Sequence, residues 1–126
     1  MAEQGSGIIG LAQVALTVKD LDTATAFYRD VLGLPFLFSA PPGLAFFQAG
    51  ATRLMLSAPT EGDGAGSHAI LYYGVADIQA AFAAITRRGA AVKAPPHMIA
   101  KVGDKAVWLA AIEDPDGHTV GLMSEV

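Results

Sequence analysis

The chain contains no cysteine in 126 residues. This excludes disulfides, thiolate metal ligands and a cysteine nucleophile. It has no apolar run of the roughly 18 residues that a membrane-spanning helix needs, although apolar residues make up 52 % of the chain. Charge is sparse as well, at 16 % of residues and a net −4, and Arg87-Arg88 is the only basic pair. No basic cluster exists to meet a phosphate backbone, so neither nucleic acid nor a membrane is expected as a partner. The start of the chain has neither the basic segment nor the small-residue cleavage site of an export signal. With no cysteine to oxidise, a cytoplasmic location is expected.

What the chain does have is the same short pattern written twice. Val18-Lys19-Asp20-Leu21 opens a helical stretch that closes at Gly33, and Val75-Ala76-Asp77-Ile78 opens another that closes at Gly89. Val18 to Val75 and Asp20 to Asp77 share one offset of 57 residues. In each copy Asp is a good helix N-cap and Gly a good left-handed terminator. Two small units, each unable to bury its own apolar face, must share a core.

Residues 1–7 read as a flexible tail, 8–58 as module one, 59–67 as a linker and 68–126 as module two. Strands are expected at Ile8–Val18, Pro35–Ser39, Leu44–Ala49 and Thr52–Ser57, with a helix from Asp20 to Gly33. Module two repeats the order: strand Ala69–Val75, helix Asp77–Gly89, a short strand Ala91–Ala94, a loop at Pro95–Met98, then Ala106–Ile112 and Thr119–Ser124 around Asp114-Pro115-Asp116-Gly117. That tetrapeptide carries strong turn chemistry. The run Glu61–Gly66 is glycine-rich, but no helix follows it, so it reads as linker and not as a phosphate loop. The fold class expected is α+β, with two tandem βαβββ modules forming a curled mixed sheet around a cup-shaped cleft.

The stretches VKDLDTATAFYRDVLGLPF, ILYYGVADIQAAFAAITRRGA and EDPDGHTVGLMSE resemble the vicinal oxygen chelate superfamily. That superfamily includes glyoxalase I, extradiol dioxygenases, fosfomycin-modifying enzymes and bleomycin-binding proteins. The resemblance covers nearly the whole chain and is specific for the fold, but it says little about the reaction. It implies a cup that, in the enzymes, holds a divalent metal on four strands, with His or Gln, Glu, His and Glu as ligands. The corresponding positions here are Gln13, Met55, Ile70 and Gly121. One neutral amide cannot hold a divalent ion alone, and no cofactor is expected. Met55, Ile70 and the bare Gly121 suggest a dry, roomy cup for an apolar or aromatic guest.

Other residues could still contribute. His68 reads as a loop histidine at the linker exit, with a place in the cup if the strand starts early. His118 reads as a solvated turn residue. His97, between two prolines and Met98-Ile99, suits a pocket role and a structural role equally. Tyr72 shares the strand parity of Ile70 and is expected to line the cup; Trp108 either stacks on a ligand or fills the core. The ligand-binding candidates are thus Gln13, Met55, Ile70, Tyr72, His97, Trp108 and Gly121.

The main functional expectation is a metal-free small-molecule-binding protein, paired as a homodimer because the composition is rich in apolar residues. The alternative is a glyoxalase- or dioxygenase-like lyase, isomerase or oxygenase. It would use a non-standard divalent metal site on Gln13, His68 and His97, or metal-free acid–base chemistry by His97 or Tyr72.

Overall fold

The computed structural model describes residues 6–7, 11–59 and 70–126. The expected linker, His68 and the start of the first strand lie outside the described residues or at their margin. Strand β1 spans Gln13–Thr17. Asp20 then caps helix α1, Leu21–Ala26, its carboxylate accepting the Thr23 amide at 3.2 Å. The helix widens into a π-helical turn over Phe27–Val31, where the Leu32 amide donates to the Phe27 carbonyl. Gly33, at φ +78°, ends it. Strands β2 (Phe36–Ala40), β3 (Leu44–Ala49) and β4 (Thr52–Ser57) follow.

Module two repeats this order with β5 (Leu71–Gly74), helix α2 (Ile78–Arg87), β6 (Ala91–Val102), β7 (Lys105–Glu113) and β8 (Thr119–Glu125). Asp77 caps α2 by accepting the Ala80 amide at 3.1 Å. The sheets have the same architecture, in the orders β1-β4-β3-β2 and β5-β8-β7-β6, each with one parallel pair at the edge. This is the α+β fold of two tandem βαβββ modules.

One segment departs from expectation. Pro95–Met98 is not a loop but part of the twelve-residue strand β6. β6 is an edge strand bonded only to β7, so prolines without N–H donors are tolerated there. Three register shifts along the β6–β7 pair absorb the irregularity.

Alternation along the strands divides each sheet into two faces. Leu16, Val18, Phe47, Leu54 and Leu56 of sheet one, and Ala110, Ile112, Val120 and Leu122 of sheet two, turn inward. They form one continuous core with the helices, including Ala24, Phe27, Tyr28, Ile78 and Ile85. The opposite faces carry the cup positions.

Polar bonds tie the modules together at one end. The Tyr28 hydroxyl donates to Asp114 Oδ2 at 2.7 Å, and Asp114 Oδ1 accepts the amides of Asp116 and His118 at 2.9 and 2.8 Å. His118 Nε2 donates to the Thr17 carbonyl at 3.2 Å, and the Lys19 amide donates to Asp116. His118 is therefore buried, not a solvated turn residue. The turn is pressed against the end of β1 and the first helix, a long-range contact that turn chemistry alone does not reveal. Arg88 adds a second tie, its guanidinium donating to the Val31 carbonyl at 3.1 Å.

Candidate functional site

Gln13, Met55 and Gly121 fall on the strands where the repeat puts them, and Ile70 lies one residue before β5. Ala15 pairs with Met55 in the β1–β4 ladder, and Tyr72 pairs with Gly121 in the β5–β8 ladder. Fifty-seven residues separate Ala15 from Tyr72, so Met55 and Gly121 are equivalent positions in the two modules. Gln13 and Ile70 are equivalent by the same offset.

On sheet one, Gln13 Nε2 lies 3.8 Å from Met55 Sδ. A thioether is a weak acceptor, so this contact fixes neither group strongly. Phe46 sits across from Met55 on β3. Its ring stacks on Phe38 with centroids 4.6 Å apart, and the Arg53 guanidinium lies 5.9 Å from its centroid. The face thus offers an amide, a thioether, two stacked rings and one cation.

On sheet two, the ring of Tyr72 lies across Gly121. A Cβ added at Gly121 would overlap Cδ1 of that ring and lie 2.6 Å from Cε1. Glycine here makes room for the ring, and Tyr72 is itself 48 % exposed.

These positions do not fit a divalent metal. They offer one amide, one thioether, an aliphatic side chain and a glycine beneath an aromatic ring, with no anionic or imidazole donor. Among the described residues, no group of three or more His, Cys, Asp or Glu side chains converges elsewhere.

The other candidates are scattered. His97 is opposite Leu109 at the far edge of sheet two, with Nδ1 donating to the Pro95 carbonyl at 2.8 Å. Tyr72 is on the opposite edge, three strands away, which at the usual strand spacing is about 14 Å. Trp108 is opposite Ser124 and packs against the core, on the face away from Met55-type positions. His68 lies outside the described residues.

A cavity of about 660 Å³ opens between the modules. Ile70 and Tyr72 line it, but Gln13 and Met55 do not. Its other walls come largely from the inward faces of both sheets, including Val14, Leu54, Leu71 and Leu122, with Arg53 from the cup side. Arg53 is the only charged residue among the described lining. The cavity and the stacked Phe38–Phe46 pair were not visible as features of the sequence. Comparing the repeats residue by residue would have pointed to the cavity, because Tyr28 maps by the 57-residue offset onto Ile85.

The family model of the Glyoxalase/Bleomycin resistance protein/Dioxygenase superfamily matches residues 10–122. No curated protein sequence matches the chain. A lactoylglutathione lyase from Agrobacterium tumefaciens is 25 % identical with a TM-score of 0.72, over 91 % of this chain and 92 % of the lyase. TnmS3, an antibiotic binding protein from Streptomyces sp. CB03234, is 21 % identical with a TM-score of 0.78, over 97 % of this chain and all of TnmS3. An integron cassette protein from the mobile metagenome of V. Cholerae is 22 % identical with a TM-score of 0.76, over 94 % of this chain and 97 % of the other. At these last two identities the likeness is one of fold.

Proposed function

We propose a function from one premise: the chain belongs to the Glyoxalase/Bleomycin resistance protein/Dioxygenase superfamily. On this reading it is a small-molecule-binding protein that takes an apolar or aromatic guest on the cup face without a divalent metal. The observation that carries the proposal is the chemistry at the four family ligand positions. Gln13 faces a thioether, Ile70 is aliphatic, and Gly121 is roofed by Tyr72. Such a surface gains from excluding water around an apolar body, with Gln13 and Arg53 left to orient polar substituents. The existence of an antibiotic binding protein with the same fold is consistent with this use.

The reading includes a homodimer. Phe38, Ile70, Tyr72, Met98 and Ile99 are each about half exposed in the single chain. Apolar side chains this numerous on open sheet faces favour a partner surface. A second copy would cover them and wall the cup. Sedimentation should show a dimer at micromolar concentration, and a monomer would contradict this part of the proposal.

The neutral dye N-phenyl-1-naphthylamine tests the binding reading, since its emission rises in an apolar site. Wild type should bind it saturably, and Met55→Glu should weaken cup binding by about tenfold or more by placing a charge against the guest. Saturable dye binding that Met55→Glu leaves intact would remove the cup as the site. The lyase likeness gives the enzyme reading its support. Turnover of methylglyoxal with glutathione under added Mn, Ni or Zn would favour that reading instead.

A further inference from the structure

The two modules meet at two equivalent junctions, and the described residues fill only one. At the first, the β7–β8 turn packs against the end of β1, where Asp114 accepts from Tyr28 and His118 donates to Thr17. The 57-residue offset maps Thr17 onto Gly74 and Tyr28 onto Ile85. The second junction is therefore where the β3–β4 turn meets the end of β5. That turn is only Gly50-Ala51, against the five residues 114–118 that connect β7 to β8. It brings no carboxylate and no imidazole, and Ile85 has no hydroxyl to offer one.

The result is the cavity of about 660 Å³, bounded by Gly50, Gly74 and Val75 at the turn and by Ile85 and Leu122 within. Protein interiors are close-packed, and voids of more than a water molecule are few. A space this large, lined mostly by aliphatic side chains with Tyr72 and Tyr73, lies in the size range of small-molecule pockets. Most of its walls belong to the inward faces of the sheets; it shares Ile70, Tyr72 and Arg53 with the cup side but not Gln13 or Met55. Its one charged lining residue among the described residues, Arg53, has its guanidinium placed over the Phe46 ring.

We propose that this junction cavity is a second binding site, distinct from the Gln13–Met55 part of the cup although it borders Ile70 and Tyr72, for a neutral, apolar molecule of up to three rings. The site follows from the loss of the polar filling that its twin retains. A neutral guest is favoured because aliphatic walls leave a charge unsolvated.

The test uses the full-length protein and the same naphthylamine dye, with Ile85→Trp to fill the cavity and Thr52→Trp to plug it beside the turn. Circular dichroism establishes that each variant is folded, and the second variant serves if the first is not. Wild type should show two classes of site. Either tryptophan variant should weaken one class by about tenfold or more, while Met55→Glu leaves that class unchanged. If both tryptophan variants bind the dye as wild type does, the junction site is overturned; if Met55→Glu also removes all binding, the cup reading stands. If the tryptophan variants abolish binding and Met55→Glu does not affect it, the junction site holds and the cup reading fails. No saturable dye binding to wild type overturns both.

Discussion

Replacing Gly121 by alanine should be costly only while Tyr72 is present. The new Cβ would overlap Cδ1 of Tyr72 and lie 2.6 Å from Cε1 and 3.0 Å from Cγ. Because Cγ is also too close, a tilt of the ring does not suffice, and the side chain must rotate out of its place. Tyr72 is half exposed and free to do so. Overpacking of this kind costs about 1–3 kcal/mol, and the partial exposure of the ring places the expectation near the lower end, at about 1–2 kcal/mol. Gly121 is not among the glycines with positive φ, so alanine suits its backbone. In a Tyr72→Ala background the clash is gone, and Gly121→Ala should stabilise by about 0.5–1 kcal/mol by lowering the entropy of the unfolded chain. A double-mutant cycle read from urea unfolding should thus show a coupling of about 2 kcal/mol. An equal effect of Gly121→Ala in both backgrounds would refute the claim that glycine is there to seat the ring.

Two further outcomes follow from the clasp between the modules. Asp114→Ala leaves the buried Tyr28 hydroxyl and the amides of Asp116 and His118 without their acceptor; thermal unfolding should show a loss of about 2–4 kcal/mol, and a loss under about 1 kcal/mol would mean that water replaces the carboxylate. Burial first, and then the Asp114 carboxylate, pushes the Tyr73 phenol from 10.0 up to about 12. Since the unfolded chain ionises first, the contribution of Tyr73 to stability is intact below about pH 10 and is lost as pH rises to about 12. Tyr73→Phe should flatten part of that alkaline decline in a pH series of urea midpoints; an unchanged slope would assign the decline to other groups.

Much of the fold was legible because local and repeated signals agreed. Asp20 and Asp77 cap their helices, Gly33 and Gly89 take positive φ, and β3 and β4 have the expected bounds. The errors arose where a long-range contact decides. Pro95-Pro96 signals a break locally, but at a sheet edge bonded to one neighbour the missing donors cost little. His118 and Asp114 follow turn chemistry locally, yet Tyr28 and Thr17, roughly a hundred residues earlier in the chain, bury them. The same limit applies to the site. Met55, Ile70 and Gly121 showed that the family donors are replaced, but only the packing shows Tyr72 over Gly121 and Trp108 turned toward the core.

The central claim is that the four cup positions hold no divalent ion. The most direct measurement is the thermal midpoint of the wild-type dialysed protein with Mn, Ni or Zn added in excess. A native-state site at 100 times its Kd adds about 2.7 kcal/mol, which at roughly 4 °C per kcal/mol for a chain of this size is a rise of about 10 °C. The account predicts no rise beyond that of a matched salt control. A rise of several degrees that saturates at one ion per cup and is lost in Gln13→Ala would contradict it.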